Sequence, residues 1–232
     1  MKYRHINKIK IFAPENRMKL IDFAFSEKKI LIAINTQKIL NATPEIVDLI
    51  NINIGYPDGI GAVWGLKKKG LKNAIKIPGC ELWLEIVAKF YLTKSIYIIG
   101  GSQEVIDNTA LRLNKQFKNI NLVGVRNGFI KTEDDKKELF NDIKDKKPDI
   151  VFVAMGSPRQ EQLMKEMYSF HPALYQGLGG SFDVYTDRIN RAPDWWDRNN
   201  LEWAYRTIKQ PSRFKGQLMI FKFLFLLKTN RL

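Results

Sequence analysis

Short apolar runs alternate with amphipathic stretches along most of this chain. Ile9–Ala13 reads as a strand and Arg17–Ser26 as a helix. Lys29–Asn35 (KILIAIN) is almost continuously apolar, the pattern of a strand covered on both faces. Thr43 and Pro44 open a helix that runs to Ile50, with Thr43 as its cap and Pro44 in the first helical position. A short strand follows at Ile52–Tyr56, then helical segments at Gly59–Lys69 and Cys80–Tyr91. Ser95–Ile99 (SIYII) is a strand that stops at Gly100-Gly101. Beyond it come an amphipathic helix at Ile106–Phe117, a strand at Ile120–Val125 and a charged helix at Glu133–Lys144. Asp149–Met155 and Ala173–Gly177 are the last clear strands. This alternation predicts an α/β fold: a Rossmann-like, mostly parallel sheet with helices on both faces. No internal repeat or low-complexity linker interrupts it.

The pattern changes after Ile189. Residues 190–232 hold Trp195, Trp196 and Trp203 together with a basic series that includes Arg191, Arg198, Arg206, Lys209, Arg213 and Lys215. The reading is an α/β core over 1–189 and a basic, Trp-rich helical appendage over 190–232. Within the appendage, Leu218–Leu227 (LMIFKFLFLL) is apolar apart from Lys222. It is too short to span a bilayer, which takes about 20 apolar residues. Its basic flanks suit a helix lying in a membrane interface. A core helix, or a contact between copies in a homo-oligomer, would show the same pattern.

A formal net charge of +14 calls for a polyanionic partner: nucleic acid, an acidic membrane surface or a phosphorylated substrate. No zinc-finger, helix-turn-helix or RNA-binding signature is present, which disfavours nucleic acid. A single cysteine, Cys80, leaves no internal disulfide and fits a reducing compartment. His5 and His171 stand far apart without ligand spacing, so no metal site is expected. The first residues lack a signal-type apolar stretch, and the expectation is a cytoplasmic protein, peripherally bound to the membrane.

Candidate chemistry gathers where strands end. Val151–Leu163 (VFVAMGSPRQEQL) passes from an apolar strand through Gly156 into a helix, with Ser157 suited to the cap and Pro158 to the first helical position. Free N–H groups at such a helix start, with the helix dipole, can seat a phosphate. Tyr56-Pro57-Asp58-Gly59 also follows a strand and precedes a helix. Asp58 there is either a general base facing a ligand crevice or the cap of the next helix. Gly100-Gly101 and Gly177–Gly180 allow close approach of a ligand to the backbone, or are simple tight turns. The dinucleotide and P-loop glycine patterns are absent, as is the serine-hydrolase elbow.

Taken together, these segments resemble the WecG/TagA/CpsF family of bacterial glycosyltransferases. The resemblance runs from about Ile30 to Lys215 and rests on Ala33-Ile34-Asn35, Tyr56–Gly59, Pro78–Trp83 (PGCELW), Val153–Glu161, Gly177–Val184, Arg191-Ala192-Pro193 and Leu201–Arg206 (LEWAYR), in that order. The detail (AIN, VAMGSPRQE, HPALYQG, QPSR) is most like the enterobacterial-common-antigen branch, which moves N-acetylmannosaminuronic acid from a UDP donor. Other members move N-acetylmannosamine or glucose-type sugars.

The resemblance implies an inverting transferase without metal or cofactor. It would add one sugar from a UDP-sugar to an undecaprenyl-diphosphate-linked acceptor at the inner face of the membrane. Asp58 matches the family's proposed base and Asn35 a polar residue beside the donor sugar. Gln160 and Glu161 match a polar pair near the donor. Lys76, Gly100, Gly101, Met155, Gly156 and Pro158 would complete the donor site. Arg206 and Arg213, with Lys209 and Lys215, would hold the acceptor diphosphate and meet the membrane. The chain also departs from its relatives. Lys76 stands where many carry Arg, which keeps the cation but gives up bidentate phosphate contact. Ala33 replaces a threonine found in some, Gly216 a third appendage arginine, and Tyr56-Pro57 a smaller or more polar lead-in to Asp58.

Overall fold

The computed structural model describes residues 1–189, 193, 195–196, 201, 204–205, 208 and 219–232. The chain opens with an antiparallel hairpin, β1 (Tyr3–Ile6) and β2 (Ile9–Phe12), turned by Asn7 and Lys8. Six further strands follow: β3 (Ile30–Ile34), β4 (Ile54–Pro57), β5 (Ile96–Gly100), β6 (Leu122–Arg126), β7 (Ile150–Ala154) and β8 (Leu174–Gly177). They form a parallel sheet in the order β4-β3-β8-β7-β5-β6, flanked by helices. Every residue of β5 and β7 is buried, as the unbroken apolar runs SIYII and IVFVA require. Their register is pinned at the start. Asp149 Oδ2 accepts from the N–H and hydroxyl of Ser95, both at 2.9 Å, and the Asp149 N–H returns a bond to Ser95 Oγ at 3.0 Å. Ile96 then pairs with Ile150 and the ladder runs in step to Gly100 and Ala154.

The chain divides into two compact units. One comprises 1–16, 33–78 and 190–232. In it the hairpin and β4 lie with helices α2 (Thr36–Asn41), α3 (Pro44–Ile52) and α4 (Ile60–Lys68). Thr43 caps α3 by accepting from the Ile46 N–H, with Pro44 in the first turn. The described part of 190–232 ends in a helix, α10 (Met219–Lys228), packed against α2 and α4.

The other unit comprises 17–32 and 79–189. Its helices are α1 (Arg17–Ser26), α5 (Gly79–Phe90), α6 (Gln103–Gln116), α7 (Glu133–Lys146), α8 (Arg159–Phe170) and α9 (Ser181–Tyr185). Trp83 of α5, fully buried, centres its core. The indole meets Phe152, Phe182 and Tyr185 edge-on, with ring centroids 5.6, 5.5 and 5.1 Å away. Arg17 ties α1 to α5 through Glu81 at 2.6 Å and Glu85 at 2.5 Å. A capping box between Thr132 and Asp135 starts α7.

The alternating pattern therefore gave the correct class and nearly every long element. Three short ones escaped it, among them α9, five residues long directly after the Gly179-Gly180 turn. β1 carries three exposed residues in four and so lacks an apolar signature. α2 fits into six residues between a strand and the Thr43 cap, where a separate helix leaves no periodic trace. Replacing Trp83 with alanine removes the ring on which three aromatic contacts converge. The expected cost is about 3–5 kcal/mol, read from urea unfolding of the full chain; a loss below about 1 kcal/mol would remove Trp83 from the centre of the core.

Candidate functional site

The end of β4 is fixed by a forked hydrogen bond. Ile34 O, at the end of β3, accepts from the Asp58 N–H at 3.1 Å and the Gly59 N–H at 3.4 Å. The chain then turns into α4 with Gly59, not Asp58, in the capping position, and no side chain caps that helix. The capping alternative for Asp58 is thus set aside, and its half-buried carboxylate is left to other partners. Asn35, the residue after Ile34, caps α2: its Oδ1 accepts from the Lys38 N–H at 3.0 Å. A methyl group placed on Gly59 would lie 3.4 Å from Asn35 Cβ, so the two turns are in contact. The Ile77 N–H donates to Pro57 O at 2.8 Å, which lays the Lys76–Ile77 segment beside the Pro57–Asp58 peptide. Asn35, Asp58 and Lys76, distant in sequence, are brought to one strand end.

The second unit has a strand end of a different kind. From β5 the chain moves outward to β6; from β7 it moves the other way, to β8. Adjacent strands whose connections part in this way form a topological switch point, where open α/β sheets bind ligands. The residues there are Gly100, Gly101, Met155 and Gly156. Gly100 has φ +139°, and a methyl on it would lie 2.2 Å from Ala154 O. The Gly101 N–H donates to Ala154 O at 3.2 Å, and the Gly128 N–H to Gly101 O at 2.9 Å. A methyl on Gly128 would stand 3.3 Å from Met155 Cγ. Ser102 caps α6 through the Val105 N–H and accepts from Arg188 Nη1 at 3.1 Å. Sequence reasoning missed Gly128, in the loop from β6 to α7, and Arg188, which follows α9; no motif marks either position.

The turn after β7 differs from expectation. Ser157 does not cap α8. Pro158 occupies the capping position without a side-chain bond, and the helix begins at Arg159. The cause is the left-handed Gly156 (φ +75°), which turns its carbonyl to accept from the Gln160 N–H at 3.0 Å. That N–H, counted among the free donors of a phosphate seat, is thereby used internally. Gln160 and Glu161 are buried, 5% and 1% exposed. Gln160 Oε1 accepts from the Gly179 N–H at 2.9 Å, and its Nε2 donates to Glu161 Oε1 at 3.3 Å. Gln160 therefore braces the Gly177–Gly180 turn from beneath.

A family model described as the glycosyl transferase WecG/TagA/CpsF family matches residues 7–232. The chain belongs to the WecG/TagA/CpsF glycosyltransferase family. Its activity is glycosyl transfer in the making of cell-surface polysaccharide, with a sugar donor and a glycan acceptor. In this WecG/TagA/CpsF member, Arg206, Lys209, Arg213 and Lys215 lie outside the described residues. Among the described residues, no group of three or more His, Cys, Asp or Glu side chains is placed to hold a metal ion, and no helix is long and apolar enough to cross a membrane. Helix α10 takes one face of the apolar tail into the fold: Ile220 and Phe223 are buried, whereas Phe221, Leu224 and Phe225 are exposed.

Gly100 and Gly156, two of the glycines at the switch point, should respond differently to alanine. Gly100→Ala drives a methyl into a ladder carbonyl as well as into a left-handed backbone, and should abolish stable folding. Around Gly156 nothing lies within 4 Å, so Gly156→Ala should cost only the left-handed conformation, about 1–2 kcal/mol. Urea unfolding of both variants measures this; equal losses would mean that the β5–β7 end is not closed as described.

Proposed function

We propose that this transferase moves N-acetylmannosaminuronic acid from a UDP donor to a polyprenyl-diphosphate-linked saccharide, with inversion and without metal. Asp58 is the general base. Its carboxylate takes the proton of the acceptor hydroxyl as that oxygen attacks the anomeric carbon; the bond from that carbon to the UDP oxygen breaks, and UDP departs with the electron pair. The observation that carries this reading is the forked bond on Ile34 O, which holds Asp58 at a strand end beside Asn35 in a chain of this family.

The remaining roles follow from chemistry. Lys76 offsets charge on the donor diphosphate, as a cation must where no metal does. The backbone at Gly100, Gly101, Met155, Gly156 and Pro158 receives the donor nucleotide, with Gln160 and Glu161 shaping the turn behind it. Arg206, Lys209, Arg213 and Lys215 hold the acceptor diphosphate and, with the exposed apolar face of α10, meet anionic lipid at the inner face of the membrane. The net charge of +14 supports a doubly phosphorylated substrate at a lipid surface. Lys76 and Ala33, which depart from the pattern of relatives, bear on the donor sugar and leave the reaction class untouched.

Two measurements test this. Asp58→Asn should lower turnover by roughly 10²-fold or more, the usual scale for a lost general base, while UDP-sugar binding by calorimetry survives; near-normal turnover removes Asp58 from the role. The second uses full-length protein in anionic vesicles, a short-chain polyprenyl-diphosphate saccharide, EDTA and UDP-sugars offered singly. Transfer from UDP-N-acetylmannosaminuronic acid alone is expected. Transfer only from UDP-N-acetylmannosamine or UDP-glucose, or none without added divalent cation, would overturn the donor or the metal independence respectively.

A further inference from the structure

The last described helix reaches the two helices that start just after Asn35 and the Asp58-Gly59 turn. Helix α10 packs against α2 and α4, both of the same unit. α2 begins directly after Asn35, and α4 begins directly after the Asp58-Gly59 turn. Where the two helix starts meet, Gly61 stands against Thr36. A methyl on Gly61 would lie 2.9 Å from Thr36 Cγ2, 3.3 Å from Thr36 Oγ1 and 3.6 Å from Phe223 Cδ1. Phe223 of α10 is fully buried at this junction. Two further contacts tie α10 and the residues after it to the far ends of the same helices. Asn41 Nδ2, at the end of α2, donates to Met219 Sδ at 3.6 Å; Lys69 Nζ, at the end of α4, donates to the carbonyl-type oxygen of Leu232 at 2.6 Å.

We infer that Phe223 is a positioning residue for Asp58: it wedges against the Thr36–Gly61 crossing and holds the first turns of α2 and α4 together, which fixes the Asn35 cap against the Asp58-Gly59 turn. The inference rests on the reading of Asp58 as the base. Phe223 touches neither substrate; it acts through the two helix starts. The small residue at Gly61 is part of the device, because even a methyl there would lie 2.9 Å from Thr36 Cγ2 and force Thr36 to shift, while only touching Phe223. A cavity left by a smaller residue 223 loosens both turns at once, and a base displaced by a fraction of an ångström loses rate far more than it loses binding.

The test uses full-length protein in vesicles and four variants, Phe223→Ala, Phe223→Leu, Asp58→Asn and the Asp58→Asn/Phe223→Ala double variant, with UDP-N-acetylmannosaminuronic acid as donor. Phe223→Ala should lower kcat at least tenfold with KM for the donor within about twofold, and Phe223→Leu should restore most of it. Vesicle binding by sedimentation should be unchanged. In the Asp58→Asn background, Phe223→Ala should lower the residual rate less than twofold, since there is no base left to misplace. Hydrogen exchange, which needs no donor, should rise in the peptides covering residues 35–41 and 58–66 and stay unchanged in α5–α8. Unchanged exchange at those two helix starts overturns the inference whatever the donor, as does a tenfold loss that persists in the Asp58→Asn background. Normal turnover in Asp58→Asn alone would sink the reading of Asp58 and leave the exchange result to decide whether Phe223 holds the helix starts.

Discussion

One carbonyl, Ile34 O, carries an unusual share of this architecture. It accepts from the Asp58 and Gly59 N–H groups, so the last residue of β3 dictates where the chain leaves β4. The consequences follow locally. Gly59 is left to start α4, because Asp58 is held back at the strand end. Asn35, one residue after Ile34, is free to cap α2, and its Cβ lies against Gly59. Ile77 then docks on Pro57 O and carries Lys76 alongside. A backbone hydrogen bond of this kind contributes only about 1 kcal/mol net. Its importance here lies in geometry: it fixes three chemically useful residues relative to one another through rigid main chain.

The second unit reaches a comparable result by another route. There the constraint is close backbone approach, with Gly100 against Ala154 O and Gly128 over Gly101. The strand order makes this the switch point of the sheet, and at Gly100 a side chain is excluded by the Ala154 carbonyl. Glycines at such a strand end let a ligand approach main chain closely, an arrangement that suits a phosphate or nucleotide. Gln160 belongs to the same logic. A buried amide that accepts from the Gly179 N–H stiffens the turn without having to touch a ligand itself.

Much of this was legible in the sequence, for identifiable reasons. Continuous apolar runs such as SIYII and IVFVA declare buried parallel strands, and Thr43-Pro44 declares a helix start, because each reflects a local constraint. Asp58 and Gly100-Gly101 were visible as strand-end residues for the same reason. Local rules failed where the conformation of a neighbouring residue or a distant partner decided the outcome. Ser157 has the chemistry of a cap, yet the turn set by Gly156 takes the Gln160 N–H first. Gly128 and Arg188 acquire meaning only through contacts with Gly101 and Ser102, and no spacing rule links those positions. The apolar tail of α10 suited a membrane, a core or a second copy; its burial against α2 and α4 on one face, with Phe221 and Phe225 exposed on the other, reflects packing that periodicity alone does not specify.

The most direct test of a single base acting on a directly attacking hydroxyl is the stereochemistry of the new bond. Product made by the full-length enzyme in vesicles would be analysed by NMR, comparing the anomeric configuration of the transferred sugar with that in the UDP donor. Inverted configuration in all of the product is the expected result, since attack and departure take place on opposite faces. Retained configuration would require a second displacement or a front-face route, and would contradict the assignment of Asp58 as the base of a one-step transfer.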